Sequence, residues 1–188
     1  MVRYLGFMVR GDLQSYLDYV RPHYESKDVA HDFAHIMRIC LRLNDLATGL
    51  TIKDPPLLHF LACWHGLAAQ IVGGSWFADA TRAFLSKDDW VDDDVDTAFV
   101  ALVRHSTSPV TVEERIVHDA AALEMLGAFG IAAAFTQGGV EGRTYDETMV
   151  AHERFLERTE FKTPRGQELS VEGREYARRF MGRLRTEL

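Results

Sequence analysis

The chain holds eight histidines, and four short stretches place several of them where they can do chemistry. "HDFAH" sets His31 and His35 four residues apart, on one face if the segment is helical, with Asp32 between them. Two imidazoles at that spacing suit a metal ion, but the glutamate that serves as base in the zinc-protease motif is absent. "ACWHGLAAQ" puts His65 inside an apolar run, flanked by Trp64 and Gly66. "VRHS" supplies His105, and "IVHDAAALEML" supplies His118 with Asp119. A titratable ring in an apolar run is either a core histidine bonded to a carbonyl or a group turned into a pocket as proton carrier or ligand. From spacing alone, the core reading is favoured for His65.

The elements that position these residues read as helices almost throughout. Leu13, Tyr16, Leu17 and Val20 define one face of a first helix over Leu13 to Tyr24, and a second covers about Ala30 to Ala47. Pro55 or Pro56 opens a third, which carries Leu58, Leu61, Ala62, His65 and Ala69 at spacings of three and four. "GGS" breaks it, and Ser75 caps a fourth over Trp76 to Leu85. The acidic run "DDWVDDDVD" suits the N-terminus of a fifth, which "STSP" ends after His105. Thr111 and Glu114 form a capping-box pattern for a sixth, expected to run to about Phe135 and to stop at Gly138 and Gly139. Two more are expected from about Asp146 to Arg158 and from Val171 to Leu188. No repeat and no useful alternating strand pattern is present, so the expectation is an all-α bundle, one compact domain over residues 1–188.

Composition narrows the function. At 188 residues and 47% hydrophobic, the chain should build a sizeable core. Its formal net charge of −7 speaks against nucleic acid, and "RRFMGRLR" reads as an amphipathic helix with a solvated face. No apolar run reaches the ~20 residues of a membrane span, and "MVRYLGFMVRG" lacks a signal-peptide cleavage site. Cys40 and Cys63 fall in apolar segments as reduced thiols, which places the chain in the cytoplasm.

In order and wording these motifs resemble the HD-domain superfamily of helical, metal-dependent phosphohydrolases, over roughly residues 13–188. "HDFAHIMRI" is similar to the signature of a small bacterial subgroup, as are "DAAALEMLGAFGIAAAFTQGG", "GRTYD" and "FKTPRGQELSVEGREYARRFM". The resemblance implies a metal held by a histidine at His35, a His–Asp pair starting at His65, and a late aspartate. Here the aspartate of the pair falls on Gly66 and the late aspartate on Ala121. His65 is thus the surviving half of the pair. Trp76 stands near the place where two-metal relatives supply a further histidine, and it is expected to fill that space.

Losing both carboxylates removes the groups that neutralise a hard cation and hold it where bound water ionises near pH 7. The expectation is therefore no metal cofactor. If an ion is held, His118 and Glu124, three residues either side of Ala121, can join His35 and His65 around zinc or another divalent metal. Asp119 points nearly the opposite way. The expected catalytic set is His35, His65, His31, Asp32 and His105, with Asp32 orienting a histidine, and the expected pocket is lined by Trp64, Gly66, Trp76, Ala121 and Met125. The partner is a small-molecule ligand or substrate, not nucleic acid or membrane; a homodimer is compatible with the chain. Three functions fit: a divergent enzyme with atypical or no metal dependence, a non-catalytic binding protein, or a phosphohydrolase rescued by migrated ligands.

Overall fold

A computed structural model describes residues 10–25, 32–72 and 74–188. Among these residues every regular element is a helix: α1 (Leu13–Tyr24), α2 (Phe33–Leu46), α3 (Pro55–Trp64), α4 (Ala68–Ile71), α5 (Trp76–Ser86), α6 (Asp92–Arg104), α7 (Val112–Glu124), α8 (Gly127–Val140), α9 (Tyr145–Arg158) and α10 (Pro164–Arg185). A 3-10 turn, His65–Leu67, joins α3 to α4.

Short polar side chains set most of the starts. Asp12, Asp32, Asp54, Ser75, Thr111, Thr144 and Thr163 each accept a backbone N–H from the first turn of the helix that follows. Pro55 and Pro164 add a pre-set φ at helix starts where no N–H is required. Helix α7 is the central element, packed on α2, α3 and α10. Ile36, Ile39, Phe60, Leu61, Trp64, Leu102, Ile116, Val117, Ala120 and Met181 belong to the one core that results.

Four boundaries differ from the expected ones, each for a local reason. Helix α3 stops at Trp64 and does not run on through Ala69. Its axis is broken by the 3-10 turn, so His65 stands at a helix end instead of mid-helix. The sixth helix does not continue to Phe135. It ends at Glu124, and α8 sets off at 74° to α7. Gly127 makes this corner with φ +67°, a left-handed conformation that glycine adopts at little cost. Gly138 and Gly139 do not stop α8. A Cβ on Gly138 would lie 2.2 Å from Thr148 Oγ1, so that glycine is there to bring α8 close to α9. Finally, α10 begins at Pro164, seven residues before Val171. No single described helix is long and apolar enough to cross a membrane.

Candidate functional site

His35 and His65 meet, as expected, with ring centroids 5.5 Å apart. His35 sits in the first turn of α2, where Asp32 accepts its backbone N–H at 2.9 Å. The carboxylate of Asp32 thus fixes the helix start that aims His35. His31 lies outside the described residues.

His65 belongs to a hydrogen-bonded chain whose polarity can be read. Nδ1 of His105 lies 2.6 Å from the carbonyl oxygen of Leu102, and Nε2 of His105 lies 2.7 Å from Nδ1 of His65. A carbonyl only accepts, so His105 carries its proton on Nδ1. Burial pushes the His105 imidazole below its ordinary pKa. Neighbouring His118 pushes the same way, and the Leu102 hydrogen bond works against both. A neutral His105 then accepts at Nε2, so His65 donates from Nδ1. A neutral His65 carries its lone pair on Nε2. This is the orientation logic by which a second group fixes the tautomer of a working histidine.

That depressed pKa has a consequence for stability. An unfolded histidine takes up a proton near pH 6.5, whereas folded His105 does so lower. Between the two values the unfolded chain holds more protons, so stability rises with pH there and is lost as pH falls below about 6.5. Burial depresses His23 and His152 in the same sense. We expect Tm at pH 5.5 to lie below Tm at pH 7.5, with a smaller gap in His105→Gln. Equal Tm values at the two pH values would contradict this.

His65 borders a cavity of about 600 Å³ whose wall includes His118, Ala121, Ala122, Met125, Arg154, Phe155, Arg158, Glu160 and Lys162. Ala121 and Met125 were expected there. Trp64 and Trp76 are not in this wall. Trp64 is fully buried and packs on Tyr16, Tyr19 and Phe60, while Trp76 is 72% exposed beside Phe77. The residues from α9 and the segment after it were missed, because they lie far along the chain from the histidines. Their only sequence signal is the four-residue spacing of Arg154 and Arg158.

The place of the missing aspartate at Gly66 is not open space. A Cβ there would lie 3.0 Å from Cε1 of Tyr24. Tyr24 is 1% exposed, donates its hydroxyl to the carbonyl of Cys63 at 2.9 Å, and accepts the Gly66 N–H at 3.1 Å. It holds the break after α3 on both sides of His65, a positioning role that sequence reading missed. Because Tyr24 is pinned and cannot yield, Gly66→Asp should destabilise by about 1–2 kcal/mol, an overpacking cost partly offset by the lost flexibility of glycine in the unfolded chain. Thermal unfolding checks this, and Gly66→Ala should lose a comparable amount if the Cβ contact is the cause. A gain in stability from either variant would refute it.

The remaining candidate ligands are otherwise engaged. Glu124 is buried and pairs with Nε of Arg38, with Arg42 at 3.2 Å and with His35 Nδ1 at 3.8 Å. Burial alone would raise its carboxyl; hydrogen bonding to His35 and Arg38, with the charges of Arg38 and Arg42, holds it below the usual range. His118 stands between two backbone carbonyls, with Nδ1 3.2 Å from that of His105 and Nε2 3.1 Å from that of Glu160. Asp119 turns away to the start of α10, where it accepts the N–H groups of Lys162 and Thr163. Among the described residues no group of three or more His, Cys, Asp or Glu side chains is arranged to hold a metal ion. Among the described residues the donor set does not fit the divalent metal that the resemblance implies.

No protein-family model matches the sequence, and no curated protein matches it. Solved structures do match. The Lin1889 protein of Listeria innocua has 20% identity and a TM-score of 0.71, covering 93% of this chain and 94% of that one. YpgQ of Bacillus subtilis, in complex with ADP, has 21% identity and a TM-score of 0.70, covering 94% and 96%. An HD-superfamily hydrolase of Bacillus thuringiensis has 18% identity and a TM-score of 0.69, covering 93% and 95%. The fold is that of the HD superfamily. At these identities the likeness speaks for the fold alone.

Proposed function

We propose that this HD-fold chain acts on a small molecule in the cavity beside His65, with His65 as the proton-transferring group and without a divalent metal. The observation that carries this reading is the ordered chain from the Leu102 carbonyl through His105 to His65. In its neutral form His65 then donates from Nδ1 and has Nε2 as its acceptor nitrogen, the tautomer a general base at this position needs. His105 is the positioning residue, Tyr24 fixes the backbone that bears His65, and His35 faces His65 across 5.5 Å. The compartment we infer is the cytoplasm, since Cys40 and Cys63 are free thiols.

Because YpgQ shares the fold and was crystallised with ADP, ADP and related phosphate esters are the first compounds to screen, each by thermal shift and by turnover in the presence of EDTA. We expect turnover that His65→Ala reduces by about 10²–10⁴-fold, the usual contribution of a general base. His105→Phe should lower kcat and alter its pH profile with little change in KM. Full activity in His65→Ala would refute the assignment. A second reading has its own support: with glycine at 66 and alanine at 121, the chain lacks both carboxylates that the HD resemblance implies. Tight binding with no turnover of any compound would establish a binding protein instead.

A further inference from the structure

We propose that the cavity binds an oxyanion through Arg154 and Arg158, and that these guanidiniums supply the positive charge for which catalytic HD proteins use a metal. This deepens the reading above, on which it rests for the location of the ligand. The chain is acidic overall, with a formal net charge of −7. Yet the wall of the cavity beside His65 carries Arg154, Arg158 and Lys162 against one carboxylate, Glu160. That carboxylate is taken, since Glu160 Oε2 lies 2.6 Å from Lys162 Nζ.

Arg154 and Arg158 have no ion pair or side-chain hydrogen bond among the described residues, and two of the four acids on α9 are committed elsewhere. Glu147 caps the helix through Thr144, and Glu153 pairs with Arg185 at 2.5 Å. Two like charges four residues apart on a helix repel each other, and an anion held between them would turn that repulsion into attraction. Guanidinium is the side chain best matched to a planar pair of oxyanion oxygens. Phe155, between the two arginines in sequence and also in the wall, offers an apolar surface for the rest of the ligand. Across the cavity, Ala121 leaves the position of the late aspartate without charge, so no carboxylate there opposes an anion. Positive charge on α9, none at position 121 and the His65 ring at the same cavity form one consistent arrangement: the anion is drawn in by arginine, not bridged by a metal.

The test is calorimetric titration of the full chain, stripped with EDTA, with pyrophosphate, ADP, adenosine and citrate at low ionic strength. We expect pyrophosphate or ADP to bind without added metal and adenosine not to bind. Citrate binding more tightly than pyrophosphate would assign the oxyanion as a carboxylate, within the same proposal. Arg154→Gln and Arg158→Gln should each weaken binding by about 10-fold or more, and the double variant by about 100-fold, as loss of charge-assisted hydrogen bonds predicts. Arg179→Gln, an exposed arginine on α10 outside the cavity, should change nothing. Both arginines are exposed, so the variants should fold, which circular dichroism checks. Anion binding that needs Mn²⁺ or Mg²⁺, unchanged affinity in the double variant, or no binding of any anionic probe would overturn the proposal. The last two results would leave Arg158 serving only the dipole at the C-terminus of α9 and Arg154 a solvated surface charge. Anion binding that survives in His65→Ala alongside absent turnover would sink the catalytic reading and leave this one standing.

Discussion

Replacing Asp119 with alanine is expected to cost about 3–5 kcal/mol and to lower Tm by about 10 °C or more. Asp119 is fully buried. Its carboxylate accepts the N–H of Lys162 at 2.9 and 3.0 Å, the N–H of Thr163 at 2.8 Å and the hydroxyl of Thr163 at 2.7 Å. Alanine leaves two backbone donors and a hydroxyl without their acceptor, and each orphaned group costs about 1–3 kcal/mol. The damage spreads through Thr163, the N-cap of α10, which accepts the Gly166 N–H at 2.9 Å. It also reaches the cavity, because Lys162 is part of its wall. A Cβ on Gly166 would lie 2.2 Å from Asp119 Oδ2, so Gly166→Ala should be costly in the native chain and much less so beside Asp119→Ala. Chemical denaturation of the wild type, the two single variants and the double variant gives the coupling. Additive losses would show that Asp119 is not the centre of this junction.

Gly130→Ala is the second large effect, and it tests the corner between α7 and α8. A Cβ at Gly130 would fall 2.1 Å from the carbonyl carbon of Met125 and 2.2 Å from its oxygen. These are main-chain atoms, and no change of rotamer moves them. The turn itself has to open. Alanine normally favours a helix over glycine by about 1 kcal/mol, so the sign of the effect is informative. We expect a net loss of about 2–3 kcal/mol, and weaker ligand binding as well, since Met125 lines the cavity. Gly139→Ala is the contrast. Its Cβ would meet nothing within 4 Å on the same helix, so it should gain about 0.5–1 kcal/mol. A stabilising Gly130→Ala would mean that α7 and α8 can straighten into the single helix the hydrophobic pattern suggests.

What the sequence by itself determined is the set of elements and the two central histidines. Most helix starts carry a capping side chain or a proline within a few residues of the first turn, and those signals are local. They place the start of α1 at Leu13 and that of α5 at Trp76, as expected. The pairing of His35 with His65 followed from the resemblance of "HDFAHIMRI" and "WHGL" to the HD motifs. The start of α10 is equally local, marked by Thr163 and Pro164 seven residues before the apolar Val171 from which periodicity alone would begin it.

Only the tertiary structure decided what surrounds those histidines. Periodicity cannot show that α7 turns by 74° into α8, because the residues on both sides are apolar and only the φ of Gly127 marks the corner. Nor does it show that Tyr24, 42 residues away, occupies the space beside Gly66, or that His105, 40 residues away, sets the tautomer of His65. Glu124 looked like a spare ligand on its helix, yet two arginines from α2 neutralise it. In each case the deciding force is a contact between groups distant along the chain: steric exclusion at Gly66, a directional hydrogen bond at His65 and charge compensation at Glu124. A one-dimensional pattern records which groups are present and their local spacing. Which partners saturate them is fixed when the helices pack.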